Sequence, residues 1–162
     1  MNYIKKIVLC LSVLVLVGCG NEVQVDKYGN GNIVYETTMK DGKQDRKSVE
    51  YHANGNIFIE ATMKDGKENG RLVGYYKNGT INWETTMKDG EMDGKWVSYH
   101  KNGNIGCEMT FKDGEMDGKM VSYHENGDVW IEITYKDGKE NGKSVLYREN
   151  GNILMERTYK DG

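Results

Sequence analysis

Two glycine-marked phrases recur along this chain without slipping. A turn phrase, usually Asn-Gly, puts Gly31, Gly55, Gly79, Gly103, Gly127 and Gly151 in one series, and Lys-Asp-Gly puts Gly42, Gly66, Gly90, Gly114, Gly138 and Gly162 in another. Both series advance by 24 residues with no insertion. A fixed period of this length means one supersecondary unit stacked on copies of itself. Residues 19–162 divide into six such units: 19–42, 43–66, 67–90, 91–114, 115–138 and 139–162.

Between the glycine marks the residues alternate and are rich in β-branched and aromatic types, so each half-unit reads as a strand and each unit as a β-hairpin. Asn56 to Met63 places Ile57, Ile59 and Met63 on one side of a strand and Glu60 and Thr62 on the other. Val97 and Tyr99 fall together in the other half-unit. Parity then selects the loop. A two-residue Asn-Gly turn would split the apolar residues between two faces. A three-residue loop such as Lys101-Asn102-Gly103, with the glycine left-handed in a G1 bulge, pairs His100 with Asn104 and Tyr99 with Ile105, and brings Val97 to Cys107. That loop gathers Val49, Val73, Val97, Val121 and Val145 with the Tyr and Ile columns on one face.

The connection from Lys112 to Gly118 reads as a wide turn on the opposite edge. In its first copy Arg46 stands where the others have Gly70, Gly94, Gly118 and Gly142, so that turn is expected to differ. Val23 to Tyr28 fits a worn first strand, with Val25 in the Val column. The expected fold is all-β: one elongated, twisted antiparallel meander of twelve strands, on the order of 55 Å long at about 4.8 Å per strand, its ends at Val23–Tyr28 and Asn152–Tyr159.

The unit YxxNGxIxxExxxKDGxxxGK resembles the MORN-variant repeat, a β-hairpin repeat of bacterial proteins that include the YwqK-like antitoxin family, many of them lipoproteins. The resemblance covers essentially all of residues 19–162. It implies a binding array, and within binding an antitoxin or immunity role.

Residues 1–18, MNYIKKIVLCLSVLVLVG, have Lys5 and Lys6 followed by an apolar or small run from Ile7 to Val17. This is the pattern of a secretory signal, too short to span a bilayer, and a helical segment is expected there. Leu16-Val17-Gly18-Cys19 resembles the bacterial lipobox. The resemblance implies lipidation at Cys19 and export to the cell envelope, at the outer membrane where one exists and otherwise on the outer face of the plasma membrane.

With Lys5 and Lys6 removed, the 22 basic residues fall to 20 against 25 acidic ones, a formal charge of -5. Lysines and acids are interspersed, which argues against nucleic acid and against a polybasic membrane-binding face. Cys107 is the one cysteine left after Cys10 and Cys19 are assigned, and its column holds Tyr35, Ile59, Trp83, Ile131 and Met155, so it reads as a packed, inert thiol.

Chemistry meets a geometric objection. Equivalent residues in adjacent units lie two strands apart, roughly 9 to 10 Å, too far to share a proton or a metal. The column Glu36, Glu60, Glu84, Glu108, Glu132 and Glu156 therefore reads as solvated or cross-strand-paired acids. His52, His100 and His124, with Ser98 and Ser122 two residues before the latter two, lack the third group and the contact that nucleophilic catalysis needs and read as turn flanks. The Asp-Gly loops lack calcium-repeat spacing. The expectation is a non-catalytic protein with no cofactor and no metal site.

Large apolar residues that break the regular columns are the candidate partner surface: Phe58, Leu72, Trp96, Met120 and Trp130, with Leu154, expected on the Glu/Thr side. The function read from the sequence is a lipid-anchored repeat protein binding another macromolecule, with a protein partner such as a toxin. The alternative is a structural envelope or surface scaffold contacting lipid, glycan or sister copies.

Overall fold

The computed structural model describes residues 13–17 and 21–162. Strands follow one another across a single open antiparallel sheet in chain order, with no crossover. After a first strand, Asn21–Lys27, outgoing strands alternate with return strands. The outgoing strands are Ile33–Lys40, Ile57–Lys64, Ile81–Lys88, Ile105–Lys112, Val129–Lys136 and Ile153–Tyr159. The return strands are Lys43–Tyr51, Lys67–Tyr75, Gly94–Tyr99, Gly118–Tyr123 and Lys139–Tyr147, the third and fourth preceded by the short pieces Glu91–Met92 and Glu115–Met116. The expected all-β meander is the observed one, and Val25 takes its place in the Val column, opposite Glu36.

The loop at Lys101-Asn102-Gly103 is the expected one. His100 N–H donates to Asn104 O at 2.8 Å, Gly103 N–H donates to His100 O at 2.9 Å, and Gly103 has φ 89°. Tyr99 pairs with Ile105. Asn102 Oδ1 accepts the Asn104 N–H at 3.0 Å, so the asparagine closes the turn with its own side chain.

Beyond this loop the register departs from the sequence reading. Ser98 pairs with Cys107 and Val97 with Glu108, because Gly106 is an extra residue that forms a second bulge. Val34, Phe58, Asn82, Trp130 and Leu154 fill the same slot in the other hairpins. One inserted residue reverses the parity of everything after it. The Glu and Thr columns therefore share a face with Val and Tyr, whereas Cys107, Met63 and their equivalents join Leu72, Trp96 and Met120 on the other. The resulting faces are chemically consistent: ionic residues meet across strands on one, and thioethers, indoles and branched aliphatics on the other.

The Lys112–Gly118 connection is also not a wide turn. Lys112 pairs directly with Glu115, and Asp113 and Gly114 both have positive φ, 49° and 84°, which is a two-residue type I′ turn. The sequence's second Asp-Gly is a bulge in the strand, where Asp117 N–H donates to Thr110 O at 2.9 Å and Gly118 has φ 120°. Arg46 occupies this bulge in the first copy at φ 72°, so the bulge survives there in a left-handed form that a side chain tolerates poorly.

The N-terminal expectations change as well. Val13–Val17 is a strand paired antiparallel with Asn21–Lys27, Val13 opposite Val25 and Val17 opposite Asn21, and not part of a helix. An alternating Val-Leu run has high strand propensity, and the open edge of Asn21–Lys27 supplies its hydrogen-bond partners. That edge, expected to be free, is thus occupied.

Candidate functional site

On the first face, the ladder face, each return strand presents a cation, a valine and a tyrosine two residues apart. Val73 is 2% exposed and Val49, Val97 and Val145 are also buried, although no second layer covers the sheet among the described residues. Their cover comes from neighbours on the same face. Each valine lies between two glutamates of the flanking strands, as Val97 does between Glu84 and Glu108. From the second repeat to the fifth, each glutamate is met from the preceding strand by a cation: Lys47–Glu60, Arg71–Glu84, Lys95–Glu108 and Lys119–Glu132. From the following strand, Tyr99 donates to Glu84 at 2.8 Å, Tyr123 to Glu108 at 3.1 Å and Tyr147 to Glu132 at 3.3 Å.

These contacts set the charges. Hydrogen bonds from Arg71 and then Tyr99 hold the Glu84 carboxyl below the ordinary carboxylate value. Lys95 does the same for Glu108 against the opposing effect of burial, with Tyr123 assisting. The hydrogen bond to Glu84 pushes the Tyr99 phenol up. Glu84 and Glu108 are therefore ion-paired carboxylates held ionised, and each exposed pair contributes on the order of 0.2–1 kcal/mol.

At the Asn-Gly edge a second ladder joins repeats. Tyr28 and Tyr76 donate to the carbonyls of Tyr51 and Tyr99, at 3.2 and 2.7 Å. In the same column His52 Nε2 meets Tyr75 O at 3.3 Å and His100 Nε2 meets Tyr123 O at 3.0 Å. His52 and His100 are thus inter-repeat clamps and not merely solvated turn flanks, whereas His124 Nε2 is buried without a hydrogen-bond partner. Ser122 Oγ is engaged with Gly106 O at 3.2 Å. Asparagine side chains extend the same tie, with Asn56 and Asn104 donating to Lys77 O and Glu125 O, each at 2.8 Å. The tyrosines in the His column were the available signal for this clamp, since Tyr and His share a polar tip on a flat ring and little else.

The opposite face, the variable face, collects what the columns do not repeat. All eight methionines after Met1 lie on it. Leu72, Trp96 and Met120 are there too, so three of the proposed partner residues do share a face, but with the Met and Ile columns and not with Glu and Thr. Phe58 and Trp130 sit in the second-bulge slot, exposed at 43% and 48%, against the rings of His52 and His124 at centroid distances of 4.9 and 6.1 Å. Leu154 fills that slot in the last hairpin and is exposed at 49%.

From Gly94–Tyr99 to Val129–Lys136 the variable face has no charged side chain. Trp96 lies opposite Met109, Met120 opposite Ile133, and Phe111 opposite Met116, all half-buried. Cys107 belongs to this stretch; burial, and then the Glu108 charge, push its thiol up, which disfavours the reactive thiolate. Among the described residues no three His, Cys, Asp or Glu side chains converge as a metal site. Cys19 lies outside the described residues.

The family model described as the MORN repeat variant matches residues 47–65, 92–113, 116–137 and 140–161, just over half of the 162 residues. Each matched segment spans a type I′ turn or an Asn-Gly loop with the strands around it. No curated protein matches the chain. The chain belongs to the MORN repeat variant family.

Proposed function

We propose that this member of the MORN repeat variant family is a lipid-anchored, exported, non-catalytic protein that binds another protein through the uncharged centre of its variable face. The observation that carries the reading is the stretch around Trp96, Met109, Phe111 and Met120: four neighbouring strands presenting half-buried apolar side chains with no charge among them and no layer over them in the described residues. A contiguous apolar surface rimmed by polar residues is characteristic of protein recognition. Methionine suits it, since an unbranched, polarizable side chain adapts to a partner's shape. The ladder face offers catalysis little, because its carboxylates are neutralised in place and the clamp histidines His52 and His100 are engaged with carbonyls.

The finer proposal is an antitoxin or immunity-type role, in which the sheet covers an exported or incoming toxin. Anchoring through Cys19 sets the place where that meeting happens. Expression in cells challenged with neighbouring or competing toxins tests it: protection that Trp96→Ser with Met120→Ser abolishes supports the role, and absence of protection against every toxin tried removes it. Flotation of a Cys19→Ser chain with liposomes separates protein binding from a lipid-contacting scaffold, which would still float.

A further inference from the structure

We propose that the variable face carries, across its first three repeats, a binding site for a linear polyamine. The site is a hollow of about 270 Å³ on the strands Ile33–Lys40 to Ile81–Lys88, walled by Tyr35, Leu72 and Trp83 and with Ala61 at its floor. The hollow exists because residues here leave their columns. Ala61, 7% exposed, stands where Met109 and Ile133 stand in later repeats. Gly74 leaves room beside it for Trp83, whose indole lies so close that a Cβ on Gly74 would meet ring atoms at 2.4 Å. Tyr35 is fixed by Gln44 and by Ser48, whose Oγ is 3.1 Å from the phenol oxygen.

Two carboxylates complete the lining, Glu50 and Glu68. Neither has an ion-pair partner among the described residues, in contrast to the neutralised acids of the ladder face. The nearest cation on the same face, Arg46 across Met63 from Glu68, is turned to Asp45 at 4.0 Å. Glu50 shares its column with the acid Asp26 of the first repeat, whereas Gly74, Ser98, Ser122 and Leu146 stand there in later repeats.

Glu50 lies opposite Ile59 and Glu68 opposite Met63, so the acids stand two strands and four residues apart, roughly 16 Å corner to corner. Negative charge at two corners, apolar floor between them and two aromatic walls match a linear polyamine: a terminal ammonium for each corner, methylenes for the floor and an internal ammonium for the aromatic faces. Ion pairing takes the ends, Ala61 and Leu72 take the methylenes, and the faces of Tyr35 and Trp83 favour the cation further. A single ammonium ion or a hydrated divalent metal would engage one corner and leave the other unpaired.

Calorimetric titration of the full chain with spermidine at fixed ionic strength, alongside magnesium and a neutral linear diol of similar length, tests the proposal. Saturable one-site heat with spermidine alone is expected, weakened about tenfold or more in E50Q/E68Q and unchanged in E140Q, which alters the Glu68 column outside the hollow. A61M fills the floor with the side chain that the column already accepts at Met109, so it should abolish the heat while preserving the unfolding midpoint. Absence of saturable heat, equal heat with magnesium, or heat that E50Q/E68Q or A61M leaves intact would overturn the proposal.

Discussion

The two faces of this sheet are made by the same strands and obey different rules. On the ladder face a residue is set by its column: cation, valine and tyrosine recur, and Glu84, Glu108 and Glu132 are each met by partners from both neighbouring strands. On the variable face the columns hold Tyr35, Ile59, Trp83, Cys107, Ile131 and Met155 in one row and Ser48, Leu72, Trp96, Met120 and Ser144 in another. The difference teaches where stability and identity reside. A solenoid-like array holds its copies together by nearest-neighbour contacts, and those contacts are the invariant ones. What is left free to vary is the opposite surface, where the proposed partner and ligand would bind.

The sharpest way to break the contrast is to put a charge into a ladder column. Val73 lies between Glu60 and Glu84 and is almost fully buried. Val73→Asp places a third carboxylate between two others with no cation free to meet it, and a loss of about 3–5 kcal/mol is expected in urea unfolding. Trp96→Ser, on the variable face, should cost no more than about 1–2 kcal/mol. Equal losses would erase the distinction.

The backbone bulges come next. Gly70 has φ 120°, and a Cβ there would stand 3.0 Å from that of Thr62, so Gly70→Ala should destabilise by about 1–3 kcal/mol. Arg46→Gly should act in the opposite sense, relieving a left-handed residue and gaining up to about 1 kcal/mol. Thermal unfolding of the two variants reads both signs.

Acid titration sharpens the comparison further. Glu84 and Glu108 have folded-state carboxyls below the ordinary value of about 4.3. Folding therefore gains from them above the unfolded value, and the gain is lost as pH falls through their lower folded values. The urea midpoint should drop on going from neutral to strongly acid pH, and E84Q/E108Q should flatten that drop. Smallest of all is Lys95→Ala, which removes one exposed partner of Glu108 and should cost about 0.2–1 kcal/mol.

Much of this architecture is legible in the sequence because glycine and asparagine report backbone geometry directly. The 24-residue step, the loop at Lys101-Asn102-Gly103 and the Val25 position in its column all follow from such signals. The second bulge left none: its slot holds Val34, Phe58, Asn82, Gly106, Trp130 and Leu154, and only one of these is a glycine. Missing one extra residue reversed the face of every side chain after it, so Cys107 was placed in an apolar column correctly but opposite the wrong strand position. The type I′ turn was hidden by abundance, since two Asp-Gly steps in seven residues suit one wide turn as well as a tight turn followed by a bulge. Leu72, Trp96 and Met120 stand out in the sequence because they break columns, which does not depend on parity. The hollow at Ala61 needed the sheet, because a small residue announces a cavity only when its neighbours are known.

Photo-crosslinking in cells that express the full chain tests the central claim most directly. A benzoyl-phenylalanine at position 96 or 120 faces outward from the variable face, and one at position 95 or 119 from the ladder face. Discrete protein adducts from 96 and 120, absent from 95 and 119, are the predicted result. Adducts from 95 and 119 with none from 96 and 120 would contradict the division of labour between the faces.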